Sequence, residues 1–170
     1  MPDRPASPAT AEVRAYWNHR IHDLEISSHP AGSPGFFADL DEYHFDKLHH
    51  LLELVDFDGH GGRRVLDVGC GTGVDLVRFV RGGAVATGVD VADAAIALAR
   101  ENLRHQSLAA SLCVGDGEGL PFPDNTFDFV YAHGGWKGAL DNHLFVGTFN
   151  AIPKPLVRRF GWHLLAFCRR

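Results

Sequence analysis

Cysteine, methionine and long apolar runs are scarce in this chain of 170 residues. It contains three cysteines and one methionine, and the cysteines form no C-x-x-C pair, which argues against the disulfide framework of a small secreted protein. No apolar run approaches the roughly eighteen residues of a membrane span, and the first ten residues lack the hydrophobic core of a signal peptide. These absences predict a cytoplasmic protein without a membrane span.

Basic residues are fewer than acidic ones, 16 against 21, which gives a formal net charge of −5. A nucleic-acid partner is therefore not expected, and a small-molecule ligand is. All 21 acidic residues stand at or before Asp141, and only five of the 16 basic residues follow it. With 45% hydrophobic and 22% charged residues, the composition predicts one folded domain.

The hydrophobic period changes along the chain. Apolar residues recur at helical spacing over about 11–26 and 40–55, with Asp39 as the expected cap of the second helix. After residue 63 the pattern alternates between short β-branched runs and helical stretches. The predicted strands are 64–68, 84–90, 111–116, 126–133 and 162–168, with helices over 74–80 and 93–106 between the first three. This order predicts an α/β fold: a Rossmann-like, doubly wound, mostly parallel sheet of about five strands with helices on both faces.

The segment VLDVGCGTGVDL (65–76) runs from a predicted buried strand through three glycines into a helix. Such a loop lets a ligand approach the backbone closely, and the following helix start offers N–H groups to an anion. Asp90 ends the next strand, where a carboxylate can accept both hydroxyls of a ribose. Together they predict a nucleoside ligand, although the glycines alone would also suit a simple strand-to-helix turn.

The identity of the nucleoside depends on residues around the glycines. The order Gly69-Cys70-Gly71-Thr72-Gly73 fits the dinucleotide fingerprint G-x-G-x-x-G poorly. Asp67 precedes the first glycine by two residues, where its carboxylate would repel a pyrophosphate and attract an ammonium or sulfonium group. These features favour S-adenosylmethionine as cofactor over a nicotinamide dinucleotide.

The chain resembles the class I S-adenosylmethionine-dependent methyltransferases, and among them the group of ubiquinone and menaquinone biosynthesis enzymes. VLDVGCGTG is similar to the first motif of that family, GVDV to the second, and residues 115–134 to the third and fourth. The resemblance implies that residues 69–73 and Asp67 hold the methionine end of the cofactor, and that Asp90, with Val91 beside it, holds the ribose. It implies that Asp116, Gly117 and Glu118 hold the adenine, although Asp116 would equally cap its own turn. The segment AYWNHR (15–20) resembles the lid over the cofactor.

Fewer residues suggest how an acceptor is bound and activated. His133 follows the fourth predicted strand, and as a neutral imidazole it is the candidate catalytic base; a loop histidine without a catalytic role is the alternative. Tyr131, Tyr16 and Trp17 are candidates for the acceptor pocket, although helix packing explains such aromatic residues equally well. No metal site is expected, because the eleven histidines form no H-x-x-x-H pair.

The resemblance also predicts that the chain is short. The family has seven strands, and two of them find no counterpart here, so we expect an internal deletion near 135–145. The expected layout is a tail and lid helices over 1–62, a cofactor-binding core over 63–134 and a C-terminal remnant over 135–170, all in one domain. An open sheet edge would then favour a homodimer. Three functions stay open: methyl transfer to a small molecule, cofactor binding without catalysis, and a nicotinamide-dependent dehydrogenase.

Overall fold

The computed structural model describes residues 8–19, 24–49 and 51–133. These residues form five α-helices, four β-strands and one 3₁₀ turn. The helices are α1 (Pro8–His19), α2 (Pro34–Lys47), α3 (Leu51–Leu54), α4 (Val74–Arg81) and α5 (Asp93–His105). The strands are β1 (Arg64–Val68), β2 (Val85–Asp90), β3 (Ser111–Val114) and β4 (Phe129–Ala132). The 3₁₀ turn spans Gly117–Gly119.

The four described strands form one sheet in the order β3-β2-β1-β4. Every neighbouring pair is parallel, and the register places Asp67 of β1 between Gly88 of β2 and Tyr131 of β4. The predicted Rossmann-like parallel sheet is therefore confirmed, with four strands in the described part of the chain. The strand order reverses between β1 and β4, which is where ligands collect at the carboxyl ends of such sheets.

Aromatic side chains fill the opposite, amino-terminal end of the sheet. Phe57, His60, Phe79 and Phe129 form what we call the aromatic cluster: the His60 ring stacks on Phe129 with centroids 4.1 Å apart, and Phe57 lies 4.7 Å from Phe79. All four are buried. Helix α4 ends there after packing its apolar face against the sheet, so the cluster fixes the direction in which α4 leaves the glycine loop.

The N-terminal helices differ from their predicted bounds. Helix α2 begins at Pro34, because the Ser33 hydroxyl accepts a hydrogen bond from the Phe36 N–H at 3.2 Å and proline suits the first helical turn. Asp39, the predicted cap, lies inside α2 and accepts a hydrogen bond from Ser27. Helix α2 ends at Lys47, and α3 follows as a separate turn. Leu52, an apolar residue of the helix predicted over 40–55, is 50% exposed.

No helix among the described residues is long and apolar enough to cross a membrane. The predicted strand over 162–168, the expected deletion near 135–145 and the charge change at Asp141 all lie outside the described residues. They remain predictions.

Candidate cofactor site

The glycine loop between β1 and α4 is held in a left-handed backbone conformation. Gly69 and Gly71 have φ values of 75° and 53°, which side chains disfavour. A Cβ atom at either position would meet no other atom within 4 Å. The loop therefore has open space beside it, as a bound ligand requires. Gly73 also has a positive φ, of 81°, and in addition a Cβ there would lie 3.2 Å from the Cβ of Ala99 in α5.

Most backbone N–H groups of this loop already have acceptors inside the protein. The N–H groups of Gly69 and Cys70 donate to Val89 O at 2.7 and 3.1 Å, and that of Gly73 donates to Cys70 O at 2.8 Å. Thr72 is buried, and its carbonyl accepts from the Asn102 side chain at 3.1 Å. An anionic ligand group would therefore accept hydrogen bonds from the first turn of α4 rather than from the loop, because the N–H groups of that turn have no helical acceptors.

Asp90, at the end of β2, ties the loop to the neighbouring strand. Its Oδ2 accepts from the Gly71 N–H at 2.9 Å, and its Oδ1 accepts from the Ala92 N–H at 2.8 Å. Burial raises the pKa of Asp90, and the backbone N–H groups of Ala92, Gly71 and Val91 oppose that rise. Each carboxylate oxygen keeps a second lone pair. Asp90 therefore still offers two acceptors for hydroxyl groups while it anchors the loop.

Asp67, in β1, is a buried carboxylate without a complete set of partners. Its side chain is 2% exposed, and Oδ2 has no hydrogen-bond partner among the described residues. Burial holds the pKa of Asp67 well above its usual range, and the negative charges of Asp75 and Asp90 raise it further. A buried acceptor without a donor is uncommon in folded proteins and points to a missing ligand group. A cation or an ammonium group would satisfy it.

The loop after β3 reaches the same end of the sheet. Asp116 is half-buried, and its backbone carbonyl accepts from the Gly119 N–H at 3.0 Å, which closes the 3₁₀ turn. A Cβ on Gly117 would lie 3.2 Å from Cγ1 of Val68, so this turn lies against the end of β1. The side chain of Glu118 lies outside what the structure describes.

Helix α1 lies across the start of α5, next to the end of β2. The Arg14 Nε donates to Val91 O at 3.1 Å, and Asn18 Oδ1 accepts from the Ala94 N–H at 3.1 Å. These bonds place α1 beside Asp90, where the lid was expected. Tyr16 and Trp17 contact each other edge to face at 5.2 Å, and Tyr16 is 49% exposed. Their place in an acceptor pocket stays a prediction.

Tyr131 is fully buried in β4, its ring contacts Phe57 and Phe79, and its hydroxyl donates to Asp75 Oδ2 at 3.0 Å. The predicted role of Tyr131 in an acceptor pocket followed from its position near a strand end, and it stays a prediction. Position 131 faces helix α4, because alternate residues of a strand point to opposite faces.

A group of three polar residues at this end of the sheet was not predicted from the sequence. His44 of α2 and His133, just after β4, approach the Asp75 carboxylate of α4, and we call these residues the His–Asp–His cluster. His44 Nε2 lies 3.0 Å from Asp75 Oδ1, and His133 Nδ1 lies 3.5 Å from Asp75 Oδ2. Burial tends to raise the pKa of Asp75, but hydrogen bonds and charge from His133 and His44 outweigh it, and the pKa is lowered. The sequence held no signal for this, since an acid in the first turn of a helix is ordinary.

A cavity of about 230 Å³ lies at the other end of α4, lined by residues that include Phe57, Arg78 and Arg81. None of the predicted cofactor residues lines it. Because the strand order reverses at the opposite end, we place the functional site at the glycine loop rather than in this cavity.

The parallel sheet, the open glycine loop after β1 and the carboxylate after β2 are those of a nucleoside-binding α/β protein. Residues 65–153, more than half of the chain, match the methyltransferase domain family. The chain belongs to that family.

Curated relatives are similar to part of the chain. It is 41% identical over 70 residues to the demethylmenaquinone methyltransferase of Tropheryma whipplei (strain Twist), a match covering 41% of this chain and 28% of the relative. It is 30% identical over 132 residues to the ubiquinone/menaquinone biosynthesis C-methyltransferase of Serratia proteamaculans (strain 568), covering 70% of this chain and 52% of the relative. The chain thus spans about half, or less, of the length of these relatives.

A solved structure supports the fold assignment. The geranyl diphosphate C-methyltransferase of Streptomyces coelicolor A3(2), in complex with Mg²⁺, geranyl diphosphate and S-adenosyl-L-homocysteine, superposes with a TM-score of 0.57 at 21% identity. The match covers 76% of this chain and 55% of that chain. It shows that the two chains share a fold.

Proposed function

We propose that this chain binds S-adenosylmethionine at the carboxyl ends of β1, β2 and β3 and transfers its methyl group to a small-molecule acceptor. The observation that carries the proposal is the unpartnered Oδ2 of buried Asp67 beside an open glycine loop. A cofactor with an ammonium and a sulfonium group supplies the positive charge that this carboxylate lacks. A pyrophosphate would bring two more negative charges to it, which disfavours a nicotinamide dinucleotide.

Each part of the cofactor is assigned to a different strand end. Asp67 and the loop carbonyls over 69–73 accept from the ammonium group, and the first turn of α4 donates to the carboxylate. Asp90, with Val91, binds the ribose hydroxyls. Asp116, Gly117 and Glu118 form the adenine end, and α1 covers the ribose from the side of α5. The support for this arrangement is that the loops after β1, β2 and β3 all meet at one edge of the sheet.

When bound, S-adenosylmethionine supplies an electrophilic methyl group on a sulfonium sulfur. The protein then has to hold the accepting atom in line with the carbon–sulfur bond, and such positioning accounts for much of the rate of a displacement of this kind. The two curated relatives named above are quinone-pathway methyltransferases by name, so we infer that the acceptor is a small ring compound of quinone type, methylated at carbon.

A second function is cofactor binding without turnover. It applies if the acceptor pocket needs a part of the relatives that the matched region does not span. The two functions differ in one measurement, the transfer of a labelled methyl group from S-adenosylmethionine to components of a metabolite extract. Labelled product supports the enzyme, and cofactor binding without any labelled product supports the binding protein.

Cofactor binding itself is tested by calorimetric titration of the full chain with S-adenosylmethionine, S-adenosylhomocysteine and NAD. We expect binding of the first two. Asp90→Ala should lower both affinities by at least about 100-fold, because it removes both ribose acceptors and the anchor of the loop. Asp124→Ala, in the exposed turn before β4, is the matched control and should bind as the wild type does. Binding of NAD alone would overturn the proposal.

We also propose that the protein works in the cytoplasm, with Cys70 and Cys113 as support, since both are free thiols. The homodimer expected from an open sheet edge stays a prediction, which sedimentation of the purified chain would test.

A further inference from the structure

The His–Asp–His cluster brings together three metal-ligand side chains from three different elements. His44 Nε2, His133 Nδ1 and the Asp75 carboxylate offer one ligand atom each, and these atoms all lie within 4.8 Å of one another. We propose that His44, Asp75 and His133 bind a divalent transition-metal ion of the zinc type. The site lies at the carboxyl ends of β1 and β4, because Asp75 follows Gly73 by two residues and His133 directly follows β4.

The ligand set selects the kind of ion. Two imidazole nitrogens and one carboxylate suit zinc and its first-row neighbours, whereas magnesium and calcium prefer oxygen ligands alone. Bonds of about 2.1 Å at tetrahedral or octahedral angles place neighbouring ligand atoms about 3 to 3.5 Å apart. The two contacts to Asp75, at 3.0 and 3.5 Å, fall in that interval. These two distances go to different oxygens of Asp75, and the limit of 4.8 Å for the whole set exceeds the interval, so binding an ion would draw the two imidazoles towards one carboxylate oxygen.

The surroundings of Asp75 resemble the outer shell of a metal site. The Tyr131 hydroxyl donates to Asp75 Oδ2 at 3.0 Å from a fully buried position, which fixes the orientation of the carboxylate. Asp67, the partner of Tyr131 in the strand register, adds a second buried carboxylate on the same face of the sheet. Two buried acids close together favour a cation, because each disfavours ionisation of the other.

Three protein ligands leave coordination positions for water or for an oxygen atom of the acceptor. This use of the open positions rests on the proposed function, whereas ion binding does not. A metal-bound imidazole does not accept a proton, so the proposal makes His133 a ligand in place of the general base suggested by the sequence. The competing arrangement is a hydrogen-bonded network without an ion, in which both imidazoles donate to Asp75.

The test is a titration of the full chain, stripped with a chelator, first with Zn²⁺ by calorimetry and then with Co²⁺ by visible absorption. We expect one ion per chain and a Co²⁺ spectrum with nitrogen ligands. His44→Ala and His133→Ala should each lower the affinity for Zn²⁺ by at least about 100-fold, and Tyr131→Phe by about tenfold, as for the loss of an outer hydrogen bond. His49→Ala, an exposed histidine just beyond α2, is the control and should leave the affinity unchanged.

Circular dichroism of each variant shows whether it is folded before its affinity is compared. Absence of Zn²⁺ binding by the wild type would overturn the proposal in favour of the hydrogen-bonded network. Binding that His44→Ala and His133→Ala leave unchanged would also overturn it, because the ion would then be elsewhere. A parallel titration with S-adenosylmethionine separates the two proposals: Zn²⁺ binding without cofactor binding would support the metal site and contradict the proposed function.

Discussion

The two ends of the sheet are built from different kinds of residue. At the carboxyl ends of the strands, the buried residues Asp67 and Asp75 flank in sequence three glycines with left-handed backbone. At the amino ends, the aromatic cluster is closed by the exposed pair of Arg64 and Asp128, at 2.8 Å. Burying a charge makes an unfavourable contribution to the free energy of folding. Burying aromatic surface makes a favourable one. The difference indicates that the amino end stabilises the fold and that the carboxyl end, where we propose the ligand site, reduces stability.

The largest effect is expected at the amino end. Phe79→Ala should destabilise the protein by about 3 to 5 kcal/mol, because Phe79 is fully buried and its ring contacts Phe57, His60, Phe129 and Tyr131. Chemical denaturation measures this loss. At denaturant concentrations below its unfolding transition, the variant should bind S-adenosylmethionine with an affinity within a few-fold of the wild-type affinity. If the folded variant no longer bound the cofactor, the amino end would contribute to ligand binding as well as to stability, which would contradict separate roles for the two ends.

A smaller effect of opposite sign is expected at the carboxyl end. Asp67→Asn should raise the stability of the ligand-free protein by about 1 kcal/mol, because it removes a buried carboxylate that lacks a partner. The same change should weaken S-adenosylmethionine binding by at least about tenfold, because the ammonium group loses its counter-charge. Thermal unfolding with and without cofactor measures both effects; a variant that gained stability and kept full affinity would show that Asp67 is not a cofactor ligand.

The difference in stability between the wild type and Asp67→Asn depends on pH because the pKa of Asp67 is raised in the folded protein. The unfolded chain loses that proton near pH 4, and the folded chain holds it to higher pH. The contribution of Asp67 to wild-type stability is therefore most favourable below pH 4 and declines as the pH rises towards the folded-state pKa. The advantage of Asp67→Asn should grow over the same interval and then become constant.

The smallest effect is expected from Arg64→Ala. Arg64 donates to Asp128 through Nε and Nη2 at 3.1 and 2.8 Å, but the pair is open to water and is screened by salt. The melting temperature should fall slightly at low ionic strength and match that of the wild type in high salt. A large fall that persists in salt would show that this pair, and not the aromatic cluster, provides most of the stability of the amino end.

The strands within residues 63–134 were predictable because the hydrophobic pattern that indicates each strand involves only residues that are neighbours in the sequence. Residues 64–68 were predicted as a strand and form β1, and the helix expected over 74–80 is α4 with one more residue. The strand expected over 126–133 is shorter at both ends. In its first part the Asp128 side chain accepts from the Arg64 backbone N–H at 2.9 Å, a contact with a residue far away in the sequence.

The start of α2 and the His–Asp–His cluster were missed for two different reasons. The helix predicted over 40–55 begins too late, because serine followed by proline, as at Ser33 and Pro34, also begins a helix. The cluster has no local pattern at all: His44 and Asp75 stand 31 residues apart, and only the packing of α2 against α4 joins them. A pattern search over neighbouring residues therefore predicts the glycine loop and leaves the cluster undetected.

The hydrogen bond from Gly71 to Asp90 restricts the glycine loop from within the protein. The conformational entropy that the loop loses by making this bond therefore belongs to folding. A preorganised loop contributes more of its contact energy to affinity. Association without a prior rearrangement gives a rate constant that rises linearly with ligand concentration. In this protein the residue proposed to recognise the ribose thus also orders the loop that the cofactor would contact.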